Sequence, residues 1–329
     1  LMTAFLKDKS IHHATLLAYQ GNRQFLAENK GDLTIDTPIS IASISKLYTD
    51  TIVFQLLDQG KLTYSTQLTE VLPKDLTDRL PHAELVTVRH LIDQTSGFPN
   101  HETDRQTNGK ILMDSILEED RRVEWDEALG ILSTLSSKSS LGGKRAYYAD
   151  VNAMLLGKIA EAVTGKSPES LLDDAVCQPL NLQQTHWATG NESLAPTYKR
   201  QDIVTCQQYL ASQFYQGGIV TSNRELMRFI RAFFGGELFS PTHISNPTFR
   251  PIQFHPLRYG SGMMQLTVSP ILSVFFAGVR EIRGHSGITG SFAFYCPEKD
   301  IFVTGTINQF SKHPYPMIFR VIAAGSKSY

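Results

Sequence analysis

Stretches patterned as β-strands lie near both ends of this chain, and stretches patterned as helices fill the space between them. Residues 14–19 and 24–28 are short apolar-rich runs on either side of Gly21-Asn22, the signature of a β-hairpin. Past residue 250 the strand pattern returns at 265–268, 291–295 and 301–307, separated by turn residues. Strands need partners for their backbone groups, so the distant pieces are expected to join in one sheet with a helical region inserted between its halves.

The middle of the chain is clearly punctuated. Leu47, Ile52, Val53, Leu56 and Leu57 recur at helical spacing up to Gly60, which predicts a helix over 45–57. Further helices are expected over 86–94, closed by Ser96-Gly97, over 151–163, ending at Thr164-Gly165, and over 222–234, stopped by Gly235-Gly236. The polar stretch 100–122 reads as a loop with a short helix at 111–116, and a last helix fits 315–324 with Pro316 in its first turn. No internal repeat or low-complexity segment interrupts this order.

Composition narrows the function classes. With 329 residues, 41% of them hydrophobic, the chain can bury a sizeable core without staples. A formal net charge of −1, well mixed and without a basic run, gives no electrostatic footprint for nucleic acid, so a small-molecule or peptide substrate is the expected partner. The three cysteines, Cys177, Cys206 and Cys296, are far apart and read as structural thiols. No apolar stretch approaches the roughly 18–20 residues of a membrane span, and Leu1-Met2-Thr3 does not open a leader peptide, which leaves export open. His12-His13 and His101-Glu102 lack partners at metal-ligand spacing, so no metal or other cofactor is expected. Nothing in the composition sets the number of subunits.

Three short motifs carry chemistry. Ser43-Ile44-Ser45-Lys46 opens the first predicted helix, and a three-residue step is nearly one turn, so the Lys46 amine can reach the Ser43 hydroxyl. A serine hydroxyl becomes a useful nucleophile when a base takes its proton. Tyr148-Ala149-Asp150 stands just ahead of the 151–163 helix, where Tyr148 could relay a proton as phenol or phenolate. Gly284-His285-Ser286-Gly287 reads as a turn leading to the strand at 291–295, with a hydrogen-bonding side chain beside glycines that allow close backbone approach. Each is bland alone: a serine cap with a solvated lysine, core aromatics with an aspartate cap, a structural histidine. Thr164-Gly165-Lys166-Ser167 mimics the end of a phosphate-binding loop but follows a helix instead of a strand.

Together and in this order, the motifs resemble the set found in the serine β-lactamase and penicillin-binding protein family, in its class C and D-Ala-D-Ala carboxypeptidase branch. Thr87-Val88-Arg89-His90-Leu91-Ile92-Asp93-Gln94-Thr95-Ser96-Gly97, the 155–165 segment and Gly217-Gly218-Ile219-Val220-Thr221-Ser222 resemble that family too, so the likeness runs over about 14–308. It implies an α/β (α+β) fold, an antiparallel sheet flanked by helices, with 1–40 and 250–329 forming the α/β domain. The inserted, mostly helical domain is 41–249, and the active site lies in the cleft between the two. It implies a serine hydrolase working through an acyl-enzyme on a D-amino-acid peptide or β-lactam-like amide, with Ser43, Lys46 and Tyr148 catalytic. Asp150, His285, Ser286, Gly287 and Ser291 would bind substrate, Ser291 through the oxyanion hole. The alternatives are an esterase or acyltransferase of the same fold, or a silent member that only binds ligand. The resemblance favours a periplasmic or extracellular place, with a cytoplasmic one as the alternative. Asp150 stands where the family usually has Asn, and His285 where β-lactamases have Lys, and both weaken the case for an efficient penicillinase.

Overall fold

The computed structural model describes residues 7–252 and 255–326, so the Leu1-Met2-Thr3 start lies outside the described residues. Strands β1 (Ala14–Gln20) and β2 (Arg23–Lys30) form the expected N-terminal hairpin. The middle of the chain adds β3 (Pro38–Ser40), β4 (His186–Trp187), β5 (Thr197–Lys199), β6 (Asp202–Val204) and β7 (Ile219–Ser222). The C-terminal part adds β8 (Arg250–Pro251), β9 (Leu257–Gly260), β10 (Met263–Thr267), β11 (Glu281–Ser286), β12 (Ser291–Cys296) and β13 (Ile301–Thr306). Eight strands make one antiparallel sheet in the order β2-β1-β13-β12-β11-β10-β9-β8, so both chain ends build it.

The longer helices are α1 (Ser45–Asp58), α2 (Val88–Ile92), α3 (Leu112–Glu118), α4 (Trp125–Ser133), α5 (Asp150–Thr164), α6 (Asn223–Gly235) and α7 (Tyr315–Gly325). Alternation along the central strands explains why helices cover both faces. On β13, Ile301 and Val303 join a core with Ile318 and Ile322 of α7, whereas Phe302 packs with the core that contains Phe229 and Phe233 of α6. Helix α6 starts at Ser222, whose hydroxyl accepts the Glu225 N–H at 3.3 Å, and ends at Gly236 in the left-handed region. Although α6 falls inside 41–249, it sits on the sheet: Asn223 accepts a hydrogen bond from Thr304 at 2.7 Å and donates one to Thr15 at 3.1 Å.

Helix α1 is buried nearly all round, as expected of a helix at the centre of a large domain. A second sheet, in the order β3-β7-β4, ties its N-terminal approach to Gly217-Gly218-Ile219. One segment departs from the sequence expectation. The stretch around His285 is not a turn but the end of β11, paired with β12 through His285 opposite Ala293 and Ser286 opposite Phe292. Its small and polar residues hide a strand that is buried on both faces. Gly284, at φ +148°, lies so close to β12 that a Cβ there would come within 2.0 Å of the Ala293 carbonyl oxygen.

Candidate active site

The residues singled out by the Ser-x-x-Lys and Tyr-x-Asp spacings meet around one point. Ser43 sits in a short 3-10 turn, Ala42–Ile44, that runs straight into α1, and Lys46 occupies the first turn of that helix. The Lys46 Nζ donates to Ser43 Oγ at 3.1 Å and to the Gln216 carbonyl at 2.6 Å. Neighbouring Ser45 faces away: its hydroxyl accepts the Ile219 N–H at 3.0 Å and anchors the second sheet. A two-residue step, a little over half a helical turn, therefore separates a serine at the cavity from a serine in the scaffold.

Tyr148 and Asp150 are delivered by the start of α5, where Ala149 takes the N-cap position and Asp150 is the first helical residue. The loop 94–97 braces them. Gln94 Oε1 accepts from the Ala149 N–H at 2.9 Å and from Asn152 at 2.6 Å, and the Gln94 carbonyl accepts from the Tyr147 N–H at 2.9 Å. Asp150 turns into the site, 2.6 Å from Lys46 Nζ, and its second oxygen accepts from Asn100 Nδ2 at 2.9 Å. Burial would raise its pKa, but the Lys46 ammonium overrides this and holds the carboxyl below its usual value.

The Tyr148 ring lies beside Lys46, 5.0 Å from Nζ to its centroid. Its phenol is held protonated: burial, reinforced by the Asp150 anion, pushes its pKa well above 10, while a hydrogen bond with Ser43 acts the other way. The phenolate form allowed by the sequence is thereby disfavoured.

On the strand side the expectations need correction. His285 is fully buried and packs against Tyr148, with ring centroids 5.9 Å apart, instead of lining the cavity. Its Nδ1 donates to the Ser286 carbonyl at 2.9 Å. Burial and then the Lys46 charge lower its pKa to about 3, so it is neutral at pH 7 and offers a substrate carboxylate no charge. Nor does it pair with Asp150, which is engaged by Lys46 and Asn100. Ser291 is also fully buried, its hydroxyl donating to the Ile41 carbonyl at 2.8 Å and fastening β12 to the Ser43 turn. Ile288, three residues earlier, is the strand-side residue that borders both cavities beside Ser43. Ser286 and Gly287 line the wall of the larger cavity.

Two cavities meet at Ser43. One, of about 280 Å³, is bounded by Asn100, Glu102, Tyr148, Asp150, Ser286 and Gly287, with Ser311, His313 and Tyr315 at its outer wall. The other, of about 50 Å³, is apolar, with Met113, Tyr209, Leu210, Ile288 and Phe310. Among the described residues lining them there is no Lys or Arg.

Glu102 borders both cavities, and no sequence motif marks it as a site residue. It is 12% exposed, and burial followed by the Asp150 anion pushes its pKa up to about 8. His101 behind it is fully buried and held neutral, with its pKa lowered by burial to about 4. Among the described residues no cluster of His, Cys, Asp and Glu could hold a metal ion, no helix is long and apolar enough to cross a membrane, and the three cysteines are free thiols.

Known proteins give the same arrangement a wider setting. Over 153 residues, 46% of this chain, it is 28% identical to "Penicillin-binding protein 4" of Amycolatopsis lactamdurans, and spans 37% of that relative's length. Among solved structures, a D-stereospecific amidohydrolase from Streptomyces sp. superposes with TM-score 0.79 at 22% identity, covering 96% of this chain and 94% of the other. A D-amino acid amidase from Ochrobactrum anthropi SV3 does so with TM-score 0.80 at 18% identity, covering 100% and 99%. These last two likenesses establish a shared fold. The Beta-lactamase family matches residues 1–325, nearly the whole chain, and with the serine, lysine and tyrosine gathered at one cavity the chain belongs to that family.

Proposed function

We propose that the chain is a serine hydrolase that forms an acyl-enzyme at Ser43 and acts on uncharged amide or ester bonds of D-amino-acid type. The observation that carries this reading is the 3.1 Å contact between Lys46 Nζ and Ser43 Oγ at the meeting point of the two cavities. The base form of Lys46 is the neutral amine, and the Asp150 carboxylate 2.6 Å away stabilises the ammonium that forms when it takes a proton. The amine then receives the Ser43 proton as Oγ attacks the carbonyl carbon. The Tyr148 phenol gives its proton to the leaving nitrogen or oxygen and is reprotonated from Lys46. Backbone N–H groups of Ser43 and Ile288 bracket the developing oxyanion, so that Ile288 takes the role expected of Ser291. Water, activated in the same way, hydrolyses the acyl-enzyme.

The absence of Lys and Arg among the described cavity residues favours substrates without a carboxylate. The D-amino acid amidase and D-stereospecific amidohydrolase with the same fold support D-amino-acid amides as the class. Intact-mass analysis with a fluorophosphonate, followed by peptide mapping, tests the nucleophile. One adduct on Ser43, lost in Ser43→Ala, is expected. An adduct on Ser45, or full labelling of Ser43→Ala, overturns the reading.

A further inference from the structure

The charges at the cavity do not balance in the way a carboxylate-binding pocket requires. Lys46 is the cation at the nucleophile, and it is already opposed by Asp150 at 2.6 Å. Asp150 in turn has its second oxygen on Asn100. Among the described residues, that leaves Glu102 as the acidic group on the cavity wall with no Lys or Arg in an ion pair with it. Its backbone is fixed by the Glu102 N–H donating to Asn100 Oδ1 at 3.0 Å and by the Met113 N–H donating to its carbonyl at 3.0 Å. Its Oε1 is 3.8 Å from His101 Nε2, and His101 is neutral.

We infer that Glu102 is the seat of a protonated primary amine on the acyl donor, so that the favoured substrates are amino-acid amides or esters with a free α-amino group. This inference rests on the hydrolase reading above and names the substrate within it.

The physical case is one of charge count in a buried place. A lone carboxylate or a lone ammonium is disfavoured in such a site, because it loses its hydration and gains no opposite charge. In the resting enzyme Glu102 meets this by holding a proton, its pKa raised to about 8 by burial and by Asp150. The Glu102 carboxyl also hydrogen-bonds with Asp150, which raises its pKa further, and with the neutral Tyr209, which lowers it; Lys46 opposes the rise, and Tyr148 and His101 are neutral. An entering ammonium takes the place of that proton: Glu102 ionises, the proton leaves to solvent, and the net buried charge is unchanged. A carboxylate has no such exchange open to it, and an acylated amine leaves the proton where it is. Glu102 also borders the cavities on both sides of Ser43, within the space an α-substituent of the acyl group must occupy.

The test compares D-phenylalanine p-nitroanilide with its N-acetyl derivative in wild type, Glu102→Gln and Glu102→Asp. The ratio of kcat/KM, free amine over N-acetyl, should fall about tenfold or more in Glu102→Gln, the scale of a lost charge-assisted contact, and be largely kept in Glu102→Asp. Calorimetry of D-phenylalanine amide binding to Ser43→Ala at pH 6, in two buffers of different ionisation enthalpy, should show release of about one proton. An unchanged ratio, or an equal fall in Glu102→Asp, overturns the inference. If Glu102→Gln does not fold, wild-type protection of Ser43 from a fluorophosphonate by the free amine, and not by the N-acetyl compound, decides the matter. Absence of any fluorophosphonate label on wild-type Ser43 would instead bring down the hydrolase reading itself, and this one with it.

Discussion

Lys46 Nζ and Asp150 Oδ1 are 2.6 Å apart, and their side chains are only 1% and 7% exposed, so each charge depends on the other for its place in the interior. Removing one partner strands the other. Lys46→Met alone should cost about 3–5 kcal/mol in urea unfolding, and adding Asp150→Leu should recover most of that loss. Additive losses in the double variant would mean that the two side chains are not coupled as their contact requires.

The same contact puts three side chains on one proton path. Lys46→Ala, Tyr148→Phe and Asp150→Asn should each lower the acylation rate by about 10²-fold, the usual scale for lost proton transfer. Because they act in sequence, Lys46→Ala combined with Tyr148→Phe should lose less than the product of the single losses. Stopped-flow acylation by a p-nitrophenyl ester measures both. Near-normal rates in any single variant would remove that residue from the path.

How much of the site is legible in the sequence follows from how local each signal is. Ser43 and Lys46 are one helical turn apart, so spacing alone predicts their meeting, whereas Tyr148 is expected beside them only from the resemblance of the ordered motifs to a known family. Glu102 escapes because its neighbours in sequence are polar; what buries it arrives from Met113 and from Tyr209, far along the chain. Its position five residues after the Gly97 segment that braces Tyr148 is the one local clue. His285 departs from expectation for a related reason. A strand of Arg, Gly, His and Ser shows no alternation of apolar residues, and its burial comes from Tyr148 and Tyr259 packing against it. The sheet is easier, because its hairpin and its C-terminal strands are each marked by local turns.

Stability should depend on pH through the buried acids. Glu102 holds its proton up to about pH 8, whereas the unfolded chain gives it up near 4.5, so the folded state binds the extra proton and loses stability as pH rises between those values. Asp50 and Asp93, also raised by burial, act in the same direction. His101 acts oppositely: neutral in the fold down to about pH 4, it contributes stability above about pH 6.5 that is lost as pH falls. Relative to wild type, Glu102→Gln should gain about 1.4 kcal/mol per pH unit between pH 6.5 and 8 in urea unfolding. A difference that stays constant over that range would place the Glu102 titration elsewhere.

Gly157 connects packing to the site. It lies on α5 directly under the Tyr215 ring, where an added Cβ would come within 2.1 Å of ring carbons. Tyr215 cannot move freely, since its carbonyl accepts from Thr49 at 2.7 Å and the next carbonyl, of Gln216, holds Lys46. Gly157→Ala should therefore cost about 1–3 kcal/mol by overpacking and also slow acylation by displacing Gln216. Thermal unfolding and the ester assay check the two effects. A loss of stability with an unchanged acylation rate would show that the strain is absorbed before it reaches Lys46.

Substrates with a carboxylate near the scissile bond should be handled poorly. The acids at the cavity, Asp150 and Glu102, are opposed by no Lys or Arg on the wall among the described residues, and His285 is buried and neutral. An incoming carboxylate thus loses its hydration and meets an Asp150–Lys46 pair that already balances itself, with no further cation on the wall to compensate it. Nitrocefin and a D-Ala-D-Ala peptide should fall below a D-amino-acid amide or short-chain ester that carries no carboxylate in kcat/KM by about tenfold or more, the equivalent of one unpaired charge interaction. Thr103, exposed at the edge of the larger cavity, offers a place to add a cation. Thr103→Arg should narrow the gap several-fold for the carboxylate-bearing substrates and, on charge grounds, leave the neutral ester little affected. Wild-type hydrolysis of nitrocefin at about 10⁶ M⁻¹s⁻¹ or above, near the fast end for enzymes, would show that the cavity accommodates a carboxylate by means other than charge. The argument would fail equally if Thr103→Arg changed all substrates by one common factor.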